Sequence, residues 1–279
     1  MEQNSQAGFS ARIRSRLPGL RDAEARVAQV LLDRGGELVR LSVSDVAELA
    51  GTAASTVVRT CQRLGFRGFQ EVKILAAGSV FGPSSGGGEG DADPLSRSVR
   101  AARETLEGLA GTVSQAQLDE AAAALGSASR VLVTGAGLSA AVALDAAYRL
   151  RALGLAVDAP ADPLTAQLSA GLLPATGVCL AISHTGATRT TVDAARRARE
   201  AGAEVIALTS YARTPLTELA TRTLLAGGQD LVLGLEAVAG RLAHLAVVDA
   251  LALTLLEDGG AAARRALSLA AEVTADHAY

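Results

Sequence analysis

Residues 178–191 read VCLAISHTGATRTT, a buried-strand pattern followed at once by a loop rich in hydroxyl side chains. The apolar run 178–182 is typical of an internal β-strand, and a helical pattern begins near residue 190. Short hydroxyls, a glycine and the unpaired N–H groups of a helix N-terminus together form a site for an oxyanion. The loop has no lysine and no acidic residue to hold a metal ion, so it favours a phosphate ester over a nucleotide–magnesium complex.

Strand and helix patterns alternate on both sides of this loop. Between residues 130 and 256, short β-branched or apolar runs are separated by longer helical patterns. We expect a short helix at 215–220 and a long apolar helix at about 236–256 among them. Continuous apolar strands separated by helices predict a parallel sheet covered on both faces, which is a doubly wound α/β domain.

A second loop with glycines, GAGLS at residues 135–139, follows the first predicted strand. With Asp158 near the end of the next strand, it fits a dinucleotide fingerprint. Alternatively, both loops lie at the carboxyl edge of one sheet and bind one phosphate ester, an interpretation that accounts for the hydroxyls of both. A third interpretation is that these hydroxyls only cap their helices. The predicted ligand-binding residues are Gly135, Gly137, Ser139, Ser183, His184, Thr185, Gly186 and Thr188.

Residues 41–64 have the pattern of two short helices joined by a glycine turn. Ser44 is expected to cap the first helix, and Gly51 to adopt the positive φ of the turn. This is the pattern of a helix-turn-helix, whose second helix enters the major groove of DNA. The residues expected to face the core are Val46, Leu49, Ala50, Val57, Val58, Cys61, Leu64, Phe66 and Phe69.

The outward face of the second helix is polar and basic. Arg59 and Arg63 lie four residues apart, where they can meet phosphates or guanine edges. A helical hairpin used for dimerisation or docking has the same spacing, but the charge favours DNA: residues 1–80 carry eleven basic against eight acidic residues, and the remainder fifteen against twenty-one. The predicted DNA-contacting residues are Ser55, Thr56, Arg59, Thr60, Arg63, Arg67 and Lys73.

The stretch GPSSGGGEGDADP at residues 82–94 separates the two patterns. Its glycine, serine and proline content is typical of a flexible linker. We therefore expect a helix-turn-helix domain at 1–80, a linker at 81–94 and an α/β domain at 95–279 with its core at 130–256. A chain of 279 residues is long enough for two such domains.

Apolar segments and cysteines indicate the compartment in which the protein is expected. The sequence has no run of about 20 apolar residues and no apolar segment of a secretory signal near its start, so we expect a cytoplasmic protein with no membrane partner. Cys61 and Cys179 lie in apolar patterns without metal-ligand spacing, and we expect two buried reduced thiols. No metal and no cofactor are predicted.

Both halves resemble one bacterial family. Residues 22–77, through LSVSDVAELAG and STVVRTCQRLGFRGFQEVK, resemble the DNA-binding domain of the RpiR family of transcriptional regulators. Residues 130–256 resemble its SIS (sugar isomerase) domain through VLVTGAGLSA, AISHTGATRTTVDAARRAREAGAEVIALTS and RLAHLAVVDAL. The sequence departs from the family at 52–54, which read Thr-Ala-Ala, and at Thr185, where serine is more common.

The resemblance implies a regulator of transcription. A phosphosugar is expected to bind with its phosphate held by Ser183, Thr185, Gly186 and Thr188, together with Ser139 of the first loop. The helix-turn-helix is expected to bind a double-stranded operator. Because such domains act as dimers on paired half-sites, and the apolar last helix and the alanine-rich helices offer an interface, we expect a homo-oligomer, a dimer or tetramer.

Catalysis is the main alternative function. Isomerisation of a sugar phosphate needs an acid–base pair, for which Glu236 and His244 are candidates beside His184. Several catalytic SIS proteins carry a glutamate where this loop has Ala187, so we expect a sensor and not an enzyme. A third alternative is a ligand-binding adaptor whose helix-turn-helix domain no longer binds DNA, which predicts no salt-dependent affinity for DNA.

Overall fold

The computed structural model describes residues 12–14, 16–80, 93–227 and 238–277. The described residues divide into two compact units, one within residues 12–101 and the other within residues 102–227 and 239–277. Apart from its last two residues, the predicted linker at 81–94 lies outside the described residues.

The N-terminal unit is helical. Its helices are α1 (Asp22–Arg34), α2 (Val43–Leu49), α3 (Ala54–Arg63) and α4 (Phe69–Val80). Gly51, with φ +58°, makes the turn between α2 and α3, as predicted. The α3 side chains of Val57 and Cys61 are fully buried, and Phe66 and Phe69 close the core after it. This arrangement confirms the helix-turn-helix region.

The structure corrects four expectations in this region. Ser42, not Ser44, caps α2: the Asp45 N–H donates to Ser42 Oγ at 3.1 Å, and the Ser42 N–H donates to the Asp45 carboxylate at 2.8 Å. Leu49 and Val58 are partly exposed, at 46% and 36%, because they lie on the outer faces of their helices. Thr60 faces the core instead of solvent, and its hydroxyl donates to the Thr56 carbonyl at 2.8 Å.

A parallel five-stranded sheet forms the centre of the C-terminal unit. The strands are β1 (Val131–Gly135), β2 (Val157–Asp158), β3 (Val178–Ile182), β4 (Glu204–Thr209) and β5 (Arg222–Leu225). They pair in the order β2-β1-β3-β4-β5, and every neighbouring pair is parallel. This topology confirms the predicted doubly wound α/β fold.

Helices cover both faces of the sheet. The helices on the sheet are α6 (Gln115–Ser127), α7 (Ser139–Ala152), α8 (Pro163–Gly171), α9 (Arg189–Glu200) and α10 (Val238–Asp258), and α11 (Gly260–Asp276) packs against α7. Helix α5 (Pro94–Glu107) precedes them, and the division between the two units falls within it. Val131 and Val133 of β1 pack with α6, α7 and α10 on one face. Leu132, between them, packs with α8 and α9 on the other. Successive strand residues thus feed two separate cores, which explains why the strands are apolar throughout.

Two differences from the expected elements concern the C-terminal unit. Residues 215–220 form turns and not a helix: the Leu219 N–H donates to the Leu216 carbonyl at 3.1 Å, and the chain then joins the sheet, where the Thr221 N–H donates to the Val205 carbonyl at 2.8 Å. Helix α11 was not predicted; Gly260, with φ +55°, separates it from α10.

Both cysteines are free and buried, as expected. Among the described residues, no helix is long and apolar enough to cross a membrane.

Candidate functional site

The two predicted ligand loops lie side by side at the carboxyl edge of the sheet. Strand β1 ends at Gly135 and β3 at Ile182, and these two residues are register partners. The chain moves from β1 to β2 on one side and to β3 on the other, so the loops flank the point where the strand order reverses. Open α/β sheets bind ligands at this position.

The loop after β3 is compact and buried at its base. Ser183 is 1% exposed, and its Oγ lies 3.1 Å from Thr188 Oγ1. Thr185 Oγ1 accepts the N–H of Ala187 at 3.3 Å. Thr188 is the N-cap residue of α9, but its side chain makes no capping hydrogen bond. The loop therefore gathers three hydroxyls around a helix N-terminus, the arrangement that binds an oxyanion.

Two of the three glycines at this edge permit close approaches. Gly186 has φ +59°, and a Cβ there would overlap the Thr214 side chain, coming to 2.6 Å from its Cγ2. A Cβ on Gly135 would lie 2.8 Å from the Ser139 carbonyl oxygen. Gly137 also has a positive φ, +61°, but has open space around its Cβ position. Glycine is thus needed at 186 for both backbone conformation and space.

Ser139 joins the first loop to the second. It is buried at the start of α7, and its Oγ accepts the backbone N–H of His184 at 3.4 Å. The His184 carbonyl accepts hydrogen bonds from the Thr209 hydroxyl at 3.2 Å and from the Ser210 N–H at 3.1 Å. The backbone of His184 is therefore held by residues at the start of α7 and at the end of β4.

Ser210 and His244 complete the site from outside the two predicted loops. His184 Nδ1 lies 2.7 Å from Ser210 Oγ, and His244 Nε2 lies 3.1 Å from the same oxygen. Burial, followed by the nearby His184, lowers the pKa of His244 to about 3, so its imidazole is neutral. Ser210 was not predicted from the sequence, although it follows β4 directly, as Ser183 follows β3.

The dinucleotide interpretation has little support in this geometry. Asp158 pairs with Leu132 in the sheet, three residues before the edge at Gly135, a distance of about 10 Å along a strand. Its carboxylate lies 3.5 Å from Arg130. Among the described residues no group of three His, Cys, Asp or Glu side chains is placed to hold a metal ion. The candidate base Glu236 lies outside the described residues.

The exposed face of α3 is the candidate DNA surface. Ser55, Arg59 and Gln62 are exposed along this face, and Val58 lies among them. Thr56 is half-buried, and Arg67 is exposed in the turn after the helix. Lys73, by contrast, is 5% exposed, because α4 turns it inward. We therefore leave Lys73 and the buried Thr60 out of the proposed surface.

An ion pair holds Arg63 at the edge of this surface. Its Nη1 lies 2.7 Å from both carboxylate oxygens of Glu24 on α1. Hydrogen bonding to Arg63, followed by the Arg21 N–H, lowers the pKa of Glu24. Arg26 donates to the carbonyls of Ala50 and Gly51 at 2.8 and 3.2 Å, closing the end of α2. Several arginines of this basic segment thus serve the fold of the helix-turn-helix.

Comparisons with known proteins match both units. A model of the helix-turn-helix domain of the rpiR family matches residues 7–80, and a SIS-domain model matches residues 124–254. The chain is 32% identical to the HTH-type transcriptional regulator HexR of Pseudomonas aeruginosa, over 86% of each chain. It is 30% identical to an uncharacterized HTH-type transcriptional regulator of Caldanaerobacter subterraneus, over 82% of this chain and 83% of that one.

A solved structure also covers nearly the whole chain. The NanR protein of Vibrio vulnificus, complexed with ManNAc-6P, superposes with a TM-score of 0.80 at 25% identity, covering 96% of this chain and 98% of that one.

Proposed function

The chain belongs to the RpiR family of helix-turn-helix transcriptional regulators, and we propose that a phosphorylated sugar bound in its SIS domain controls its affinity for an operator. The observation that carries this proposal is the hydroxyl loop 183–188, which surrounds an uncapped helix N-terminus at the switch point of the sheet. The complex of NanR with ManNAc-6P, a phosphorylated sugar, supports it.

The phosphate is assigned to the loop after β3. The hydroxyls of Ser183, Thr185 and Thr188 and the first N–H groups of α9 donate hydrogen bonds, and the helix dipole favours the negative charge. Gly186 lets the loop adopt a left-handed conformation packed against Thr214. Ser139 and the Gly135–Gly137 turn belong to the neighbouring loop at the same edge of the sheet, and the Ser139 hydroxyl accepts the His184 N–H.

We propose that this domain binds its sugar and does not convert it. None of the residues at 135–139, 183–188 or 210–217 is acidic, so a carboxylate base from these segments is absent. His244 is 1% exposed, and its pKa of about 3 makes it a weak base near neutral pH. Turnover of a sugar phosphate that is lost in a His244→Gln variant would favour the enzymatic alternative.

DNA binding is assigned to Ser55, Thr56, Arg59, Arg63 and Arg67, with Val58 and Gln62 on the same exposed face of α3. Helix-turn-helix proteins place such a helix in the major groove and act as dimers on paired half-sites. We therefore propose a homodimeric or tetrameric regulator that acts in the cytoplasm, where the operator is. The sugar must bind the DNA-competent and DNA-incompetent states with different affinities, typically by about 1–3 kcal/mol.

A thermal-shift panel tests the ligand. ManNAc-6P and other hexose phosphates are compared with their unphosphorylated sugars, because a ligand that binds the folded state raises the unfolding temperature. We expect phosphorylated sugars to give shifts and their unphosphorylated partners none. In a Ser183→Ala/Thr188→Ala variant the shift should disappear while the unliganded protein stays folded. A retained shift would show that the sugar phosphate binds at another site.

Operator binding is tested separately by electrophoretic mobility shift with DNA from upstream of the regulator's own gene. We expect a salt-dependent affinity that changes when the active sugar phosphate is added. Affinity for protein partners without any salt-dependent DNA binding would instead favour the adaptor.

A further inference from the structure

The side chain of Ser210 is the meeting point of three elements of the SIS domain. Its Oγ donates to the Ala226 carbonyl just after β5 at 2.8 Å. The same oxygen lies 2.7 Å from His184 Nδ1 in the ligand loop and 3.1 Å from His244 Nε2 on α10. One hydroxyl therefore links the ligand loop to the far edge of the sheet and to a covering helix.

The protons of this cluster can be assigned from its chemistry. A serine hydroxyl has one proton and two lone pairs, and a carbonyl can only accept. Because the Ser210 proton goes to the Ala226 carbonyl, the hydroxyl oxygen must accept from both imidazoles. His184 then carries its proton on Nδ1, and His244 carries its proton on Nε2.

We propose that Ser210 is a positioning residue of the ligand loop, whose hydroxyl fixes the orientation and the Nδ1–H tautomer of the His184 side chain. Hydrogen-bond partners of this kind set which ring nitrogen of a histidine is protonated. The inference rests on the proposed function in so far as the loop at 183–188 is the phosphate site.

Three other observations support this arrangement. His244 is 1% and His184 8% exposed, so water does not compete freely for their ring nitrogens. The low pKa of His244 keeps it a neutral, single-proton donor over the physiological pH range. Tyr211 also packs edge-on against the His184 ring, with the centroids 5.6 Å apart, which restricts rotation of the imidazole.

Nitrogen NMR of histidine tests the assignment without any ligand. The chain has three histidines, so ¹⁵N-histidine-labelled full-length protein gives few signals, assigned with His244→Gln and His277→Gln variants. We expect His184 to be protonated on Nδ1 and His244 on Nε2. Protonation of His184 on Nε2 in the wild-type protein would overturn the proposal, whatever the variants do.

Ser210→Ala tests the role of the hydroxyl, with Ser129→Ala as the matched control. Ser129 Oγ lies 2.7 Å from Thr176 Oγ1, so the control also loses a hydrogen bond in the same domain, next to the amino end of β1. We expect His184 to leave its single tautomer in Ser210→Ala and to keep it in Ser129→Ala. An unchanged His184 signal in Ser210→Ala would contradict the proposal.

Binding of inorganic phosphate, followed by thermal shift, connects the cluster to the ligand loop. We expect Ser210→Ala to weaken phosphate binding about tenfold, the effect of losing about one hydrogen bond, and Ser129→Ala to leave it unchanged. Equal affinity in Ser210→Ala and wild type would refute a positioning role. If the tautomers are as expected but the wild-type protein binds neither phosphate nor any sugar phosphate, the proposed function fails and the assignment of the protons stands.

Discussion

Replacing Gly186 by alanine tests whether the ligand loop depends on its close approach to Thr214. Gly186 has φ +59°, a left-handed conformation that costs a residue with a Cβ about 1–2 kcal/mol. The added Cβ would also overlap Thr214, which is fully buried and whose Oγ1 lies 3.2 Å from Thr217 Oγ1, so it has little room to move. Overpacking of this kind costs about 1–3 kcal/mol more.

Gly137→Ala is the matched control for this change. Its φ of +61° is nearly the same, but its added Cβ meets nothing within 4 Å, so it carries the backbone cost alone. The difference between the two variants isolates the overlap with Thr214. We expect Gly186→Ala to be less stable than Gly137→Ala by about 1–3 kcal/mol, at about 2–4 °C of unfolding temperature per kcal/mol for a unit of this size.

Thermal unfolding of the full chain, followed by circular dichroism, measures both variants against wild type. Equal unfolding temperatures for Gly186→Ala and Gly137→Ala would refute the reasoning, because Thr214 would then be free to yield. Combining Gly186→Ala with Thr214→Gly removes the overlapping atoms and should recover part of the loss. Thr214→Ala should not, since its Cβ also lies within the overlap.

Three further predictions follow from the charges and thiols. Glu24→Gln removes the carboxylate that holds Arg63, so we expect tighter operator binding at low salt. The dependence of log affinity on log salt concentration should become steeper by about one phosphate contact. An unchanged dependence in a mobility-shift titration would show that Glu24 does not restrain Arg63. His244 has a pKa of about 3 in the folded protein, below its value in the unfolded chain, so it contributes stability that is complete above pH 6.5 and is lost as the pH falls toward 3. The slope reaches up to about 1.4 kcal/mol per pH unit. In chemical denaturation, the free energy of unfolding of His244→Gln should fall less steeply with decreasing pH than that of wild type, and an equal fall would assign the titration to another group. Burial raises the pKa of the Cys61 and Cys179 thiols to about 12, so neither should react with a thiol reagent near neutral pH until the protein unfolds; rapid reaction of native protein would contradict their burial.

The features that could be predicted from the sequence are local. The strand 178–182, the hydroxyls that follow it and the turn at Gly51 each depend on neighbouring residues, through apolar runs, caps and backbone conformation. Helical periodicity was less reliable for single positions of the helix-turn-helix. Val58 was expected in the core and is exposed, whereas Thr60 was expected at the surface and is buried. In a helix as short as α3, the few apolar residues do not determine which side faces the core. The predicted helix at 215–220 was wrong for a different reason, because the chain turns there to join the sheet through the hydrogen bond from the Thr221 N–H to the Val205 carbonyl.

Residues close together in the chain were enough to identify the two classes of domain, the hydroxyl loop and the basic helix, because each of these is a local pattern. The contacts that these residues make with distant parts of the chain could be seen only in the folded protein. Ser210 lies 26 residues from His184 and 34 from His244, and Arg63 lies 39 residues from Glu24. Such contacts depend on how strands and helices pack, so the cluster beneath the loop and the restraint on Arg63 became visible when the chain was folded.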